Sequence, residues 1–123
     1  MSDIPDTKAL VMSYLAGSVS CPVVSKRPDG AGAPTEFVRV IATGGPGRTR
    51  RALNVAQVTI DCYAASTGRA MQVGLRVDAL MHALPKSPHP VGEVSGSFPA
   101  EMPDATTASP RVTATYQLTT RLS

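Results

Sequence analysis

The chain has 123 residues, of which 42% are hydrophobic and 17% are charged, and its formal net charge is +3. This length suits one domain that can bury a core without disulfides or metal ions. Three tyrosines, two phenylalanines and no tryptophan provide few stacking rings, and the mild charge does not favour base-reading nucleic-acid binding. The N-terminus has an acidic start and a broken apolar run, unlike a signal peptide, and no segment has transmembrane length. We therefore expect a protein that is made and used in a cytoplasm.

Residues 5–16 predict a short amphipathic helix that begins at Pro5 and Asp6 and ends at Gly17. The helical spacing places several apolar residues on one face, namely Ala9, Leu10 and Tyr14, with Val11 and Leu15 as further members. The following CPVVSKR predicts a brief strand, and its proline confines the start to a sheet edge or a strand start. A flexible connection, PDGAGAP, comes next.

Two strands are predicted from TEFVRVIAT and LNVAQVTIDCYA, residues 35–43 and 53–64. In the second strand apolar and polar residues alternate, with one face formed by Ala56, Val58, Ile60 and Cys62 and the other by Gln57, Thr59 and Asp61. Such alternation favours an antiparallel sheet that is covered on one side.

The segment between these strands, residues 44–52, predicts a flexible loop rich in glycine and arginine. Its marked residues are Gly44, Gly45, Gly47, Arg48, Arg50 and Arg51. A phosphate-binding loop would need a helix directly behind the glycines and a lysine in a GxxxxGK[ST] pattern, and the sequence has neither. We therefore interpret the segment as a solvated hairpin connection.

The main helix is predicted over residues 66–84, with Ser66 or Thr67 as its N-cap and Pro85 at its end. Its apolar positions recur every three or four residues: Ala70, Val73, Val77, Leu80 and Leu84. We expect the face carrying the last four of these residues to pack on the sheet face that carries Val58 and Ile60.

The C-terminal third predicts a weak strand near residues 91–97, a proline-rich crossing and a last strand over residues 111–121. In the last strand apolar residues alternate with a polar row formed by Thr113, Thr115, Gln117 and Thr119. The predicted fold is a single α+β domain spanning residues 1–123. It has a mainly antiparallel sheet of four to five strands, one long helix and a short N-terminal helix, in the order α-β-β-β-α-β-β.

The sequence predicts no catalytic, cofactor-binding or metal-binding residue. His82 and His89 lack the spacing of metal ligands, and Cys21 and Cys62 are expected to be reduced, half-buried thiols. Asp61 and Asp104 have no neighbouring nucleophile or oxyanion pocket in the sequence, so Asp61 is expected to cap the following turn or to bond to a neighbouring chain.

Two alternative functions stay open at this point. One is a small nucleic-acid-binding module that uses Arg48, Arg50 and Arg51. The other is a small hydrolase built around Asp61 and a histidine. Salt-dependent binding of DNA by a monomer would favour the first, and metal-dependent turnover would favour the second.

Nearly the full chain resembles the tail terminator, or tail completion, proteins of long-tailed siphophages, especially those that infect actinobacteria. The resemblance rests on the helix ALVMSYLAG, on FVRV followed by TGG, on IDCYAAS before the main helix, and on MPDATTASPR before the last strand. These motifs are architectural rather than catalytic. Other small head–tail connector proteins, stoppers and adaptors, have a similar size and α+β content.

The resemblance implies a structural virion protein, assembled in the host cytoplasm, that forms a ring, typically a hexamer. Such a ring stops polymerisation of the tail-tube protein and joins the tail to the head connector or stopper protein. DNA passes through its channel without sequence-specific binding, and neither a cofactor nor a membrane is involved. On this basis the loop at residues 44–52 is expected to dock on partners, and Asp61, Arg69 and Arg76 are candidate inter-subunit contacts.

Overall fold

The computed structural model of the chain describes residues 6–49 and 53–121. The elements in chain order are α1 (Thr7–Ala16), β1 (Val23–Val24), β2 (Phe37–Thr49), β3 (Leu53–Tyr63), α2 (Thr67–Ala83), a 3-10 helix (Leu84–Lys86), β4 (Val91–Gly96), β5 (Ala100–Glu101) and β6 (Arg111–Arg121). The predicted α+β class and order of elements are confirmed. The two-residue β5 and the 3-10 helix are additions to the predicted set.

The sheet has six strands in the order β1-β2-β3-β6-β4, and β5 pairs with β6 as well. β4 pairs with the second half of β6 and β5 with its first half, so both lie on the side of β6 that faces away from β3. All pairings are antiparallel except that of β1 with β2. The eleven-residue ladder between β3 and β6 forms the centre of the sheet.

One face of the sheet is apolar and is covered by the two helices. It buries Val58, Ile60 and Cys62 of β3 together with Ala114, Tyr116 and Leu118 of β6. α2 contributes Val73, Val77 and Met81, and the 3-10 helix contributes Leu84. The predicted packing of the main helix on Val58 and Ile60 is therefore confirmed for Val73, Val77 and Leu84.

The prediction for Leu80 needs correction, because Leu80 is only partly buried whereas Met81 is fully buried. The backbone carbonyl of Leu80 accepts a hydrogen bond from the Tyr14 hydroxyl at 2.7 Å, which fastens the two helices together. The shift of one residue shows that the buried stripe turns toward Met81 as α2 approaches its end.

The short helix α1 begins as predicted, with the Asp6 carboxylate accepting a hydrogen bond from the Ala9 backbone N–H at 3.0 Å. Pro5 lies outside the described residues. The core side of α1 is formed by Val11 and Leu15, four residues apart, while Ala9 is exposed and Tyr14 is half-buried. Ala9 was therefore misplaced in the predicted face. None of the helices in the described residues is both long and apolar enough to cross a lipid bilayer.

Candidate functional site

The motifs FVRV, IDCYA and MPD with PR meet on the sheet face that lies away from α2. Successive side chains of a strand point to opposite faces. Val38 and Ile60 are buried in the core, so the side chains next to them in β2 and β3 point to this face. The aromatic rings of Phe37 and Tyr63 stack with their centroids 4.4 Å apart and an angle of 15° between their planes. We call the residues gathered here the motif cluster: Phe37, Arg39, Asp61, Tyr63, Asp104 and Arg111.

An ion pair between neighbouring strands forms the centre of the motif cluster. Arg39 and Asp61 are direct partners in the ladder of β2 and β3, and Arg39 Nη2 donates to Asp61 Oδ2 at 2.6 Å. Arg111 Nη1 lies 3.9 Å from the same oxygen. The Asp61 side chain is only 5% exposed, so it requires these cationic partners. Opposite charges facing each other across two strands also favour this register over a shifted one.

Tyr63 lies between the two cationic side chains and the second acidic one. The guanidinium carbons of Arg39 and Arg111 are each 6.0 Å from the centre of its ring, within the range of cation–π attraction. Its hydroxyl donates to Asp104 Oδ2 at 2.8 Å. Burial raises the pKa of Tyr63, and its hydrogen bond to Asp104 raises it further. Tyr63 therefore stays a neutral hydrogen-bond donor.

Asp104 organises the loop that precedes β6. Its Oδ1 accepts hydrogen bonds from the backbone N–H groups of Thr106 at 2.8 Å and Thr107 at 3.3 Å. The Thr106 N–H, followed by the Tyr63 hydroxyl, lowers the pKa of Asp104 below its ordinary value. Arg27 Nη1 lies 3.5 Å from the other carboxylate oxygen. The MPD motif thus ties its own loop to β3 and to the segment after β1.

The expected role of Asp61 needs correction. Its carboxylate is held across the strands by Arg39, with Arg111 Nη1 at 3.9 Å, and not by the turn after β3. The inter-subunit role stays a prediction. The second carboxylate that the sequence offered, Asp104, does lie in the same cluster. His82 belongs to α2 on the opposite face, where its Nε2 lies 3.6 Å from Asp78 Oδ1.

The predicted loop over residues 44–52 is shorter in the structure, since β2 continues through Thr49. Gly44, Gly47 and Arg48 pair with β3 across two register shifts, which mark β-bulges. Gly45 has a φ of +103°, and a Cβ atom there would lie 2.8 Å from the Gln57 backbone nitrogen. Glycine is therefore required at that position.

The arginines of this segment are placed only in part. Arg48 is exposed near the distal end of the β2–β3 hairpin. Arg50 and Arg51 lie outside the described residues, as does Ala52. The mobility and docking role of the segment stay predictions.

Arg69 and Arg76, the other candidate inter-subunit residues, lie on the exposed side of α2 beside a pocket. Arg69 forms a two-pronged salt bridge with Glu36, with Nε to Oε1 at 2.7 Å and Nη2 to Oε2 at 3.0 Å. This pairing lowers the pKa of Glu36. Both arginines line a surface pocket of about 200 Å³ together with Gln72 and Cys21. This pocket lies at the surface, where a partner can reach it. The inter-subunit role of the two arginines stays a prediction.

The two cysteines are buried or half-buried, and His89 packs against an aromatic ring. Cys62 is a buried free thiol, where burial raises its pKa to about 12, and Cys21 is a half-buried free thiol. Cys62 is therefore more deeply buried than expected. The imidazole of His89 packs edge-on against Tyr14 with centroids 5.7 Å apart. Within residues 6–49 and 53–121, no three His, Cys, Asp or Glu side chains converge as metal ligands would.

A ladder of hydroxyl and amide groups continues along the polar face beyond the motif cluster. Thr59 Oγ1 lies 3.2 Å from Thr115 Oγ1 and 3.4 Å from Thr43 Oγ1. Gln57 Nε2 donates to Thr43 Oγ1 at 3.2 Å, and Gln117 Nε2 donates to Gln57 Oε1 at 3.4 Å. The predicted polar row of the last strand is confirmed as one face of β6, and it is half-exposed.

Sequence reasoning missed an exposed apolar site at the edge formed by β4 and β5. The side chain of Phe98 is 72% exposed and that of Met102 is 51% exposed, on either side of β5. In the described part of the chain, no strand pairs with the outer side of β4 or β5. We call this region, residues 98–102 with the outer side of β4, the open edge. Its signal in the sequence was one phenylalanine inside a proline-rich crossing.

A second pocket, of about 250 Å³, lies beside the motif cluster, at the start of β2 and the end of β3. The stacked rings of Phe37 and Tyr63 form part of its lining. Three prolines also line it, and we therefore call it the proline pocket. Its principal residues are Arg27, Pro28, Pro34, Phe37, Tyr63 and Pro110. It lies between the segment that follows β1 and the loop that precedes β6.

No protein-family model matches the chain, and no curated protein sequence matches it either. Among solved structures, the chain is similar to a chain of the "Virion of native gene transfer agent (GTA) particle". The identity is 13%, the match covers 90% of this chain and 84% of that chain, and the TM-score is 0.46.

Proposed function

We propose that this chain is a structural virion protein that forms a ring at the head-proximal end of a long, non-contractile phage tail. The ring, a hexamer, ends polymerisation of the tail tube and joins the finished tail to the head connector or stopper protein. Its partners are other copies of itself, the tail-tube protein and the connector, and DNA passes through its channel. The sequence resemblance of nearly the full chain supports this proposal.

The structural observation that carries the proposal is the open edge. An unpaired strand edge can pair with another chain, and charges and prolines in the edge, here Glu101 and Pro99, restrict such pairing. Here it displays Phe98 and Met102 to solvent. Exposed apolar side chains on an available strand edge suit a protein whose edge is covered in an assembly.

The motif cluster supports the same proposal in a different way. The residues that carry the resemblance hold β2, β3, β6 and the loop at 104–109 in one arrangement through salt bridges and hydrogen bonds. A fixed scaffold of this kind presents its polar face, hairpin and edge to partners in a constant geometry. Binding then requires little ordering of the subunit itself.

Negative-stain microscopy of the purified protein, alone and mixed with tail tubes, tests the ring. We expect rings of one size in solution or capping one end of each tube. Light scattering after size-exclusion chromatography gives the copy number independently of shape, against a subunit mass of 12.8 kDa. A neck structure with a single copy on the tail axis would exclude the ring.

Substitution of the arginines in residues 44–52 tests whether this segment is needed to join head and tail. No acidic residue lies between Glu36 and Asp61 in the sequence, so Arg48, Arg50 and Arg51 have no local counter-charge in this segment. Replacing all three by alanine should leave the thermal midpoint nearly unchanged and reduce head–tail joining in a complementation assay, since complementary charge guides encounter and orientation. If docking survives and only DNA retention or delivery fails, the arginines contact DNA. Unfolding of the variant would place them in the folded framework.

A further inference from the structure

Phe98 is exposed on a backbone that is fixed on both sides. Ser97 before it donates its N–H to the Thr115 carbonyl at 3.0 Å and accepts the Thr115 N–H on its hydroxyl at 3.0 Å. Pro99 after it is buried close to Gly74 of α2. Because the backbone is already held, placing the Phe98 ring in a partner loses little conformational freedom.

The rest of the open edge is held in the same manner. Met102 donates its N–H to the Arg111 carbonyl at 2.9 Å, and its own carbonyl accepts from Arg111 Nε at 2.8 Å. Glu101 lies between the two exposed apolar residues and is itself exposed. The open edge therefore presents two apolar side chains and one negative charge in a fixed order.

The proline pocket has complementary properties. The stacked Phe37 and Tyr63 rings and the prolines give it aromatic and apolar walls, and the Arg27 side chain in its lining is 35% exposed. Arg27 is the charged residue of this lining, and its Nη1 lies 3.5 Å from Asp104 Oδ2 of the same subunit. The pocket's volume of about 250 Å³ is below the roughly 300–1,000 Å³ of small-molecule sites and suits one inserted side chain.

The two surfaces are also different parts of the subunit. The open edge is outside β6, whereas the proline pocket is lined by the segment after β1, the start of β2, the end of β3 and residues 109–110 before β6. A contact between two different surfaces of identical subunits is heterologous, and repeated heterologous contacts close into a ring when the rotation per subunit permits.

We propose that Phe98 of one copy inserts into the proline pocket of the next copy, with Glu101 facing Arg27 across the contact. This contact rests on the oligomer proposed above and specifies its interface. An aromatic side chain seated in a pocket is the typical centre of a protein interface, and the charged pair at its rim sets orientation more than affinity.

Site-specific photo-crosslinking tests the contact directly. Phe98 is replaced by benzoyl-phenylalanine in the full chain, which is irradiated alone over a concentration series and together with tail tubes. Crosslinked dimers are digested and mapped by mass spectrometry. Crosslinks to residues 27–37, 63–65 or 109–110 of a second copy support the contact.

Affinity measurements with a matched control complete the test. Phe98→Ala should raise the dissociation constant of the oligomer by roughly 30-fold or more, as expected for an anchoring residue. Leu53→Ala removes another exposed apolar side chain, 40% exposed at the start of β3, and should change it by less than about threefold. Thermal unfolding of both variants shows whether the subunit stays folded.

The outcomes separate this contact from the ring itself. If an oligomer forms but Phe98 crosslinks elsewhere, or Phe98→Ala assembles as well as Leu53→Ala, the contact is excluded and the ring stands. If no oligomer forms in solution or on tail tubes, both the ring and the contact are excluded.

Discussion

The two faces of the central sheet are stabilised in different ways. On the helix side, β3 and β6 bury apolar side chains against α2, so stability comes from apolar area removed from water. On the opposite side, Asp61 is equally buried but is held by arginines. A deletion on the first face leaves a cavity, whereas a deletion on the second leaves a charge without its partner. The faces should therefore respond differently to the same kind of substitution.

The largest difference should appear between adjacent residues of β3. Ile60 is 1% exposed in the apolar core, and Ile60→Ala should reduce the free energy of unfolding by about 2–5 kcal/mol. Thr59 faces the other side and shares hydrogen bonds with Thr43 and Thr115, so Thr59→Ala should cost only about 0.5–1.5 kcal/mol. Urea unfolding measures both, and equal losses would contradict the assignment of the two faces.

The ion pair provides the next largest effect. Asp61→Asn removes the charge while keeping the shape, and it should lower the free energy of unfolding by about 1–3 kcal/mol, since Arg39 would keep its charge in a half-buried position. Adding Arg39→Met to Asp61→Asn should recover part of that loss, because Arg39 then leaves no unpaired charge and only the more distant Arg111 still loses its carboxylate neighbour. A double variant whose loss equals the sum of the single losses would show that the two side chains are not coupled.

The helix face could be predicted from the sequence because its signal is local. Apolar residues spaced by two in β3 and by three or four in α2 identify the buried sides without knowledge of the partner strand. The one-residue error at Leu80 and Met81 shows the limit of this signal. Spacing gives the direction of the buried stripe, while neighbouring elements decide which of two adjacent residues is covered.

The polar face could not be predicted because its contacts depend on strand register. A hairpin loop over residues 44–52 would place Arg39 opposite Gln57. The ladder instead continues to Thr49 opposite Leu53, and two bulges in β2 bring Arg39 opposite Asp61. Glycines with positive φ allow those bulges, and sequence reasoning interpreted the same glycines as loop. The motifs could be recognised in the sequence, but their proximity in the folded chain could not.

Two glycines of α2 extend the comparison to the helix itself. A methyl group on Gly74 would lie 2.9 Å from Val112 Cγ1 and 3.5 Å from Pro99 Cβ, whereas one on Gly68 would meet nothing within 4 Å. Overpacking costs about 1–3 kcal/mol and the better helix propensity of alanine returns up to about 1 kcal/mol. Gly74→Ala should therefore destabilise by about 1 kcal/mol, and Gly68→Ala should stabilise slightly. Thermal unfolding of the pair would refute the close packing of α2 if both raised the midpoint.

The smallest expected effect is the pH dependence that Asp104 gives to the free energy of unfolding. The folded chain lowers the pKa of Asp104 below its ordinary value of 3.8, chiefly through the Thr106 N–H and the Tyr63 hydroxyl. A lowered folded pKa contributes stability that is fully present above the unfolded pKa and is lost as the pH falls through the folded value. Stability should thus decline below about pH 5, and Asp104→Asn should make this decline shallower.

Glu36 sharpens that test, because its pKa is also lowered, by Arg69, and it is retained in the variant. Some decline should consequently persist in Asp104→Asn. Asp29→Asn, which removes an exposed carboxylate from the connection after β1, serves as the matched control and should keep the wild-type slope more closely. Urea midpoints measured from pH 6 to pH 3 compare the three proteins. If Asp104→Asn and Asp29→Asn follow the same curve, the carboxylate of Asp104 does not stabilise the loop through its charge.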